Sequence, residues 1–118
     1  MARLRLSLPA QADLTRILET SAERWGANGR RRYAALLAAA MRLVAAEPAT
    51  HLARDRPDLL PGVFSFHVRH ARSGMTSNRV KAPVHILYYR IVEPGLVEIV
   101  RVLHEHMEPS RHVGTTGP

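Results

Sequence analysis

Cysteine is absent from this 118-residue chain, which excludes disulfides, thiol nucleophiles and cysteine-ligated metals. Long apolar runs are missing as well. No window approaches the ~18 to 20 uninterrupted apolar residues of a membrane span. The N-terminus alternates Arg3, Leu4, Arg5, Leu6 where a signal peptide would build an apolar block, so a cytoplasmic protein is expected. Aromatic residues make up only 5% of the chain, which gives nucleic-acid bases little to stack on and argues against a plain nucleic-acid-binding module. No glycine-rich phosphate loop occurs, no nucleophile motif surrounds Ser65, Ser73 or Ser77, and there are no internal repeats. His104-x-His106 with His112 has the look of a metal set but lacks a second tightly spaced pair. Neither a metal nor a cofactor is expected.

What the chain does have is positive charge. The formal net charge is +7, carried almost wholly by arginine, since Lys81 is the only lysine. Arginine forms bidentate contacts with carboxylate and phosphate, so the charge favours an acidic partner, and only weakly nucleic acid in particular. The run Arg30-Arg31-Arg32 does not change that, because successive residues fan around a helix and do not share one face.

At this length one domain is expected over residues 1–118, large enough to bury roughly two-thirds of its unfolded surface. Residues 3–6 read as a short strand, and Ser7 with Pro9 as a helix start: a capping hydroxyl, then proline in the first turn. Ala10, Leu14, Ile17, Leu18, Ala22 and Trp25 give one apolar stripe at helical spacing. The stretch 26–29 is expected to break that helix, with Asn28 capping a second one whose apolar face is Tyr33, Leu36, Leu37, Ala40, Leu43 and Val44, stopped by Pro48. A helical hairpin results.

Residues 49–62 carry prolines without periodicity and read as a loop with at most one helical turn. In the strand expected at 63–69, Phe64, Phe66 and Val68 should pack on the helices, leaving Ser65, His67 and Arg69 to a ligand. Residues 70–83 form a polar, basic loop with Arg72, Arg79 and Lys81 and no acid. Residues 84–92 and 96–103 are rich in β-branched and aromatic side chains, and Glu93-Pro94-Gly95 between them supplies turn chemistry, so they form an antiparallel hairpin. Apolar residues fill both alternation phases of each strand, which implies a second surface, such as a partner protein, over part of the far side. The tail 114–118 is expected to be frayed. The order β-α-α-β-β-β indicates an α+β domain: an N-terminal strand, a helical hairpin, then a three-stranded antiparallel sheet.

Several stretches in this order carry a family likeness: Glu23-Arg24-Trp25-Gly26, the Tyr33 helix ending at Pro48, Leu60-Pro61-Gly62 leading into Phe66-His67-Val68, and Leu87-Tyr88-Tyr89-Arg90. Val100-Arg101-Val102-Leu103-His104 follows, then Met107-Glu108-Pro109 and Arg111-His112. Over residues 4–113 the chain resembles the ParE toxins of the RelE/ParE superfamily of type II toxin-antitoxin systems. The long connection before Val84 resembles the branch with an extended loop there.

The resemblance implies a bacterial toxin held inactive by a ParD-like antitoxin, whose DNA-binding part is a ribbon-helix-helix dimer and whose C-terminal tail folds onto the toxin. A tail that is disordered alone would order as an amphipathic helix along the helical hairpin. Leu14, Leu18, Trp25, Tyr33 and Leu37 are the expected border of its groove, and Arg69, Arg90 and Arg101 the expected anchors for its carboxylates. The resemblance further implies DNA gyrase as the target, inhibited by a non-enzymatic protein contact. His104, His106, Met107, Arg111 and His112, with the 70–83 loop, are the expected contact surface.

The enzymatic alternative is a RelE-like, ribosome-dependent mRNA endonuclease. Such a nuclease needs an acid, a base and cations on the phosphate. His67, His104 and His106 with Arg69 and Arg101 are the set it would draw on, although no tyrosine follows Leu103.

Overall fold

The computed structural model describes residues 2–74, 80 and 82–113. The expected frayed tail at 114–118 lies outside the described residues, as do 75–79 and 81 of the basic loop. Strand β1 (Arg3–Leu6) leads into helix α1 (Leu8–Ala46), and β2 (Arg54–Asp55), β3 (Val63–His67), β4 (His85–Glu93) and β5 (Leu96–His104) follow. All the strands lie in one sheet of order β1-β5-β4-β3-β2, so the class is α+β as expected.

Helix α1 starts as its sequence demands. Ser7 caps it by accepting from the Ala10 N–H at 3.1 Å, and Pro9 sits in the first turn. A straight helix of 39 residues would span about 58 Å. The longest dimension of the protein is 37 Å, so the segment is folded on itself. The bend is one residue. Gly26 alone leaves helical geometry, at φ 72° and ψ −172°, a region open to glycine and closed to other residues. The expected four-residue break and the Asn28 cap are therefore corrected: residues 27–46 are helical from the start, and the Asn28 side chain accepts from Arg31 instead.

The three-stranded sheet is likewise corrected to five strands. β1 runs parallel to β5, with Arg3 opposite Leu96 and Leu6 opposite Ile99, and β2 pairs with β3 inside the stretch expected to be a plain loop. β3 ends at His67, and Val68–Gly74 is a 3-10 helix that occupies the start of the basic loop. The β4–β5 hairpin closes where expected, with Glu93 opposite Leu96 across Pro94 and Gly95.

Two clusters explain why both phases of the hairpin are apolar. The main core joins Tyr33, Leu36, Leu37, Ala40 and Val44 of α1 to Phe66, Leu87, Tyr89, Val97, Ile99 and Val102. On the other face Val63, Tyr88 and Leu103 pack with Val113 and Leu59. The chain's own C-terminal segment thus covers part of the far side, the place for which a partner had been expected.

A bulge adds to the effect. Tyr88 pairs with Arg101 but Tyr89 with Ile99, which leaves Val100 as an extra residue on β5. Val97 and Ile99 before it and Val102 after it consequently all reach the main core despite their opposite parity. Among the described residues no helix is long and apolar enough to cross a membrane.

Candidate partner-binding groove

The edge of β5 passes from β1 to the first turns of α1. Ser7 N–H donates to the Ile99 carbonyl, and its hydroxyl donates to the Val100 carbonyl at 2.7 Å. Six residues later Asp13 takes the place of a strand partner, its Oδ2 accepting from the Val102 N–H at 2.9 Å. The same carboxylate receives Arg101 through two bonds of 2.8 Å, and it is only 2% exposed. This pins the first arm of α1 across the end of the sheet and leaves a groove between the two.

The groove encloses about 820 Å³. Apolar parts of its lining come from Ile17 on α1, Val84 before β4, Val102 on β5 and Met107 beyond it. Its rim is basic, with Arg16, Arg24 and Arg32 from the two arms of the bent helix. Trp25 stands at the bend, 59% exposed, with the Arg24 guanidinium 5.8 Å from its ring centre. Met107 is 36% exposed. An exposed tryptophan and an exposed methionine thus line the same groove as three arginines.

Gly29 helps to place Trp25. A β-carbon added at Gly29 would clash with the Trp25 Cβ, so the close approach of the second arm to the first requires glycine there.

The inner wall carries a hydrogen-bonded chain. Val84 N–H donates to the Tyr33 hydroxyl at 3.2 Å, and that hydroxyl shares a 2.6 Å hydrogen bond with His85 Nδ1. Burial, reinforced by the His104 and His67 charges, pushes the His85 imidazole down to about 4, so it is neutral near pH 7. Burial also raises the Tyr33 hydroxyl above the ordinary tyrosine range. The His104 ring lies 5.7 Å from that of His85, and its Nδ1 accepts from the His106 N–H. Among the described residues no group of three or more His, Cys, Asp or Glu is placed to hold a metal ion.

Residues 4–109 match the family described as "ParE toxin of type II toxin-antitoxin system, parDE". The chain belongs to the ParE toxin family. It is 33% identical to Toxin ParE1 of Caulobacter vibrioides over 115 residues, which is 97% of this chain and 100% of that one. To Toxin ParE1 of Mycobacterium tuberculosis (strain CDC 1551 / Oshkosh) it is 30% identical over 112 residues, 95% of this chain and 98% of the other. A solved structure titled "Chromosomal ParDE TA system from P. aeruginosa" shares its fold, at a TM-score of 0.65 and 15% identity, over 88% of this chain and 96% of that one.

Of the residues singled out in the sequence of this ParE toxin, the groove gathers Trp25, Tyr33, His104 and Met107. Leu14 and Leu18 pack against the main core, and Leu37 lies inside it at 2% exposure. The three expected arginine anchors sit elsewhere. Arg101 is taken by Asp13, Arg90 donates to Glu98 at 2.9 Å, and Arg69 is exposed on the 3-10 helix. His67, expected to be open to a ligand, donates from Nε2 to Glu105 at 2.8 Å, and Ser65 is buried. His106 is exposed on the turn after β5, Arg111 is exposed, and the His112 carbonyl accepts from Arg101 at 3.4 Å.

Sequence reasoning passed over Asp13, His85, Arg16, Arg24 and Arg32. A signal for the arginines was present in the pairs Arg16-Ile17, Arg24-Trp25 and Arg32-Tyr33, where a base directly precedes an apolar groove residue each time.

Proposed function

We propose that this ParE toxin is held inactive by a ParD-like antitoxin seated in the groove between the bent helix and the end of β5, and that when released it inhibits DNA gyrase as a protein inhibitor. The observation that carries the reading is the groove itself: Trp25 and Met107 lie open to solvent beneath a rim of arginines. An amphipathic tail would bury exactly that kind of surface. The ParDE title of the structural neighbour names a system of the same kind, and the family likeness supports gyrase as the target. His104 and Met107 belong to both the groove and the expected target surface, so a seated antitoxin would cover part of what gyrase is proposed to meet.

The test is a supercoiling assay with purified gyrase and relaxed plasmid, run beside an in vitro translation reaction, with and without the antitoxin of the same operon. Loss of supercoiling with accumulated cleaved plasmid, translation untouched, and reversal by antitoxin are expected. Translation arrest with cut messenger and normal supercoiling would replace this reading with the endonuclease one.

A further inference from the structure

We infer that the face of the sheet turned away from α1 holds the phosphate backbone of duplex DNA, through Arg5 and Arg90 with Arg3 and Arg54 beside them. This goes beyond the antitoxin and gyrase readings and depends on neither, because the groove lies on the helix side of the sheet.

The pairing registers build that face. Arg5, Glu98 and Arg90 stand in one row across β1, β5 and β4, and directly paired residues point to the same side. The side is the one away from α1, since Arg90 is opposite Val63, which packs with Tyr88 and Leu103 in the far cluster. Arg3 joins Arg5 by the two-residue period of β1, and exposed Arg54 reaches the same face through Ser65 and Tyr88. Two strand spacings, about 10 Å, separate Arg5 from Arg90.

Glu98 sets those two arginines. Its Oε2 accepts from Arg5 Nε at 3.0 Å and its Oε1 from Arg90 Nε at 2.9 Å, and its side chain is 14% exposed. Both carboxylate oxygens are thereby used on Nε atoms. The Nη pairs have no hydrogen-bond partner among the described residues, and the two arginine side chains are 48% and 50% exposed. An ion pair that serves packing is made differently here: Arg101 turns Nε and Nη2 together onto Asp13. A guanidinium held by Nε alone keeps its planar Nη fork for an oxyanion, with part of its rotamer freedom already lost. Arg3 is tied more loosely, 3.8 Å from Glu93.

Phosphates suit this face better than the carboxylates of a protein. A protein interface needs an apolar anchor at its centre. The exposed large apolar residues of β1, β4 and β5 are Leu4 and Ile91, and both pair with Val97 of the main core, which puts them on the helix side. The scarcity of aromatic residues argues against stacking on bases, and contacts to a duplex backbone need no stacking.

The test is the fluorescence anisotropy of a labelled duplex of roughly 20 base pairs, titrated with the full chain at several salt concentrations. Labelled poly-glutamate is titrated in parallel. Duplex binding is expected to be indifferent to base sequence and to weaken with salt, log affinity falling against log salt with a slope of about −3. Arg5→Gln and Arg90→Gln are each expected to weaken it about fivefold and to flatten that slope by about 1. Arg42→Gln, exposed on α1 and equal in its change of charge, is expected to do neither. Glu98→Gln discriminates further. It makes the chain more positive, so unspecific attraction would strengthen, whereas loss of the bracket between the two arginines is expected to weaken binding.

Thermal unfolding of each variant separates lost binding from lost fold. Absence of duplex binding at the lowest salt overturns the inference, as does an equal loss with Arg42→Gln or tighter binding by Glu98→Gln. A shift of Trp25 emission on adding duplex would place the DNA in the groove and overturn it too. If Arg5→Gln and Arg90→Gln weaken the binding of poly-glutamate and not of the duplex, the face serves an acidic protein and the inference falls.

Discussion

Asp13 and Arg101 form a two-pronged ion pair, Nε to Oδ2 and Nη2 to Oδ1, both at 2.8 Å, joining the first turns of the helix to the last strand of the sheet. The carboxylate is 2% exposed and the arginine side chain 14%. Removing one member leaves the other charged, buried and alone, a loss on the order of 3 to 5 kcal/mol. Asp13→Ala and Arg101→Ala are each expected to lower the unfolding free energy, measured by urea denaturation, by that much. The double variant should lose clearly less than the sum of the two. Inactivity of an Arg101 variant in a toxicity assay would then report unfolding, which denaturation of the same sample distinguishes from a lost target contact.

Gly26 and Gly29 should respond differently to alanine. At Gly26 a side chain meets no neighbour, but the backbone conformation is closed to it, at a cost of about 1 to 3 kcal/mol. At Gly29 the backbone is helical, so alanine gains up to about 1 kcal/mol of helix propensity while its β-carbon collides with Trp25. Thermal unfolding should therefore show a plain loss for Gly26→Ala. For Gly29→Ala the more telling readout is the emission maximum of Trp25, expected to move without partner present.

The His85 imidazole makes stability depend on pH in a defined window. Its folded value of about 4 lies below the ordinary 6.5, so the unfolded chain takes the proton first. The contribution of neutral His85 is complete above pH 6.5 and is lost as pH falls toward 4. Allowing for partial exposure, the loss is on the order of 2 to 3 kcal/mol. Unfolding free energies measured across that range should fall less steeply for His85→Gln than for the wild type. Tyr33→Phe, which strips the Val84 N–H of its acceptor and His85 Nδ1 of its hydrogen-bond partner, should cost about 1 to 2 kcal/mol at neutral pH.

Val113, 3% exposed, closes the cluster on the far face of the sheet over Tyr88 and Leu103. Val113→Asp places a charge there and is expected to detach the segment after β5, with a loss of about 2 to 4 kcal/mol. Limited proteolysis between residues 105 and 113 should accelerate in that variant, and urea unfolding gives the size of the loss.

The parts of this fold that were legible in the sequence are those with a local physical cause. Tyr33, Leu36, Leu37, Ala40 and Val44 repeat at helical spacing and are all buried, and Pro94-Gly95 marks the hairpin between two β-branched runs. The rest depends on partners far along the chain. Nothing near Val100 says that it, and not a neighbour, is the extra residue of the bulge, because that choice is made by the pairing with β4. β2 is two residues long, too short for any alternation to appear. Asp13 was visible as a carboxylate on an apolar stripe, but its partner lies 88 residues away.

The groove was legible in part for the same reason. Trp25 and Tyr33 stood out as large apolar residues on the helices, and His104 and Met107 as members of the expected contact segment after the last strand. The arginines chosen as anchors were those on strands, whereas the groove draws its charge from the helix, because the bend at Gly26 swings Arg24 and Arg32 toward one opening.

The oldest and youngest ends of the sheet meet side by side. The Ser7 hydroxyl bonds a carbonyl 93 residues further on, and among the described residues β1 has no strand neighbour other than β5. A chain still being synthesised therefore carries its first strand without a place to put it until β5 has been made. The groove is lined in part by Val102 and Met107, so it too comes into being only once β5 is made. A prematurely terminated copy lacks the surface proposed to do harm, and an antitoxin that recognises the finished groove meets the toxin only as an already completed product.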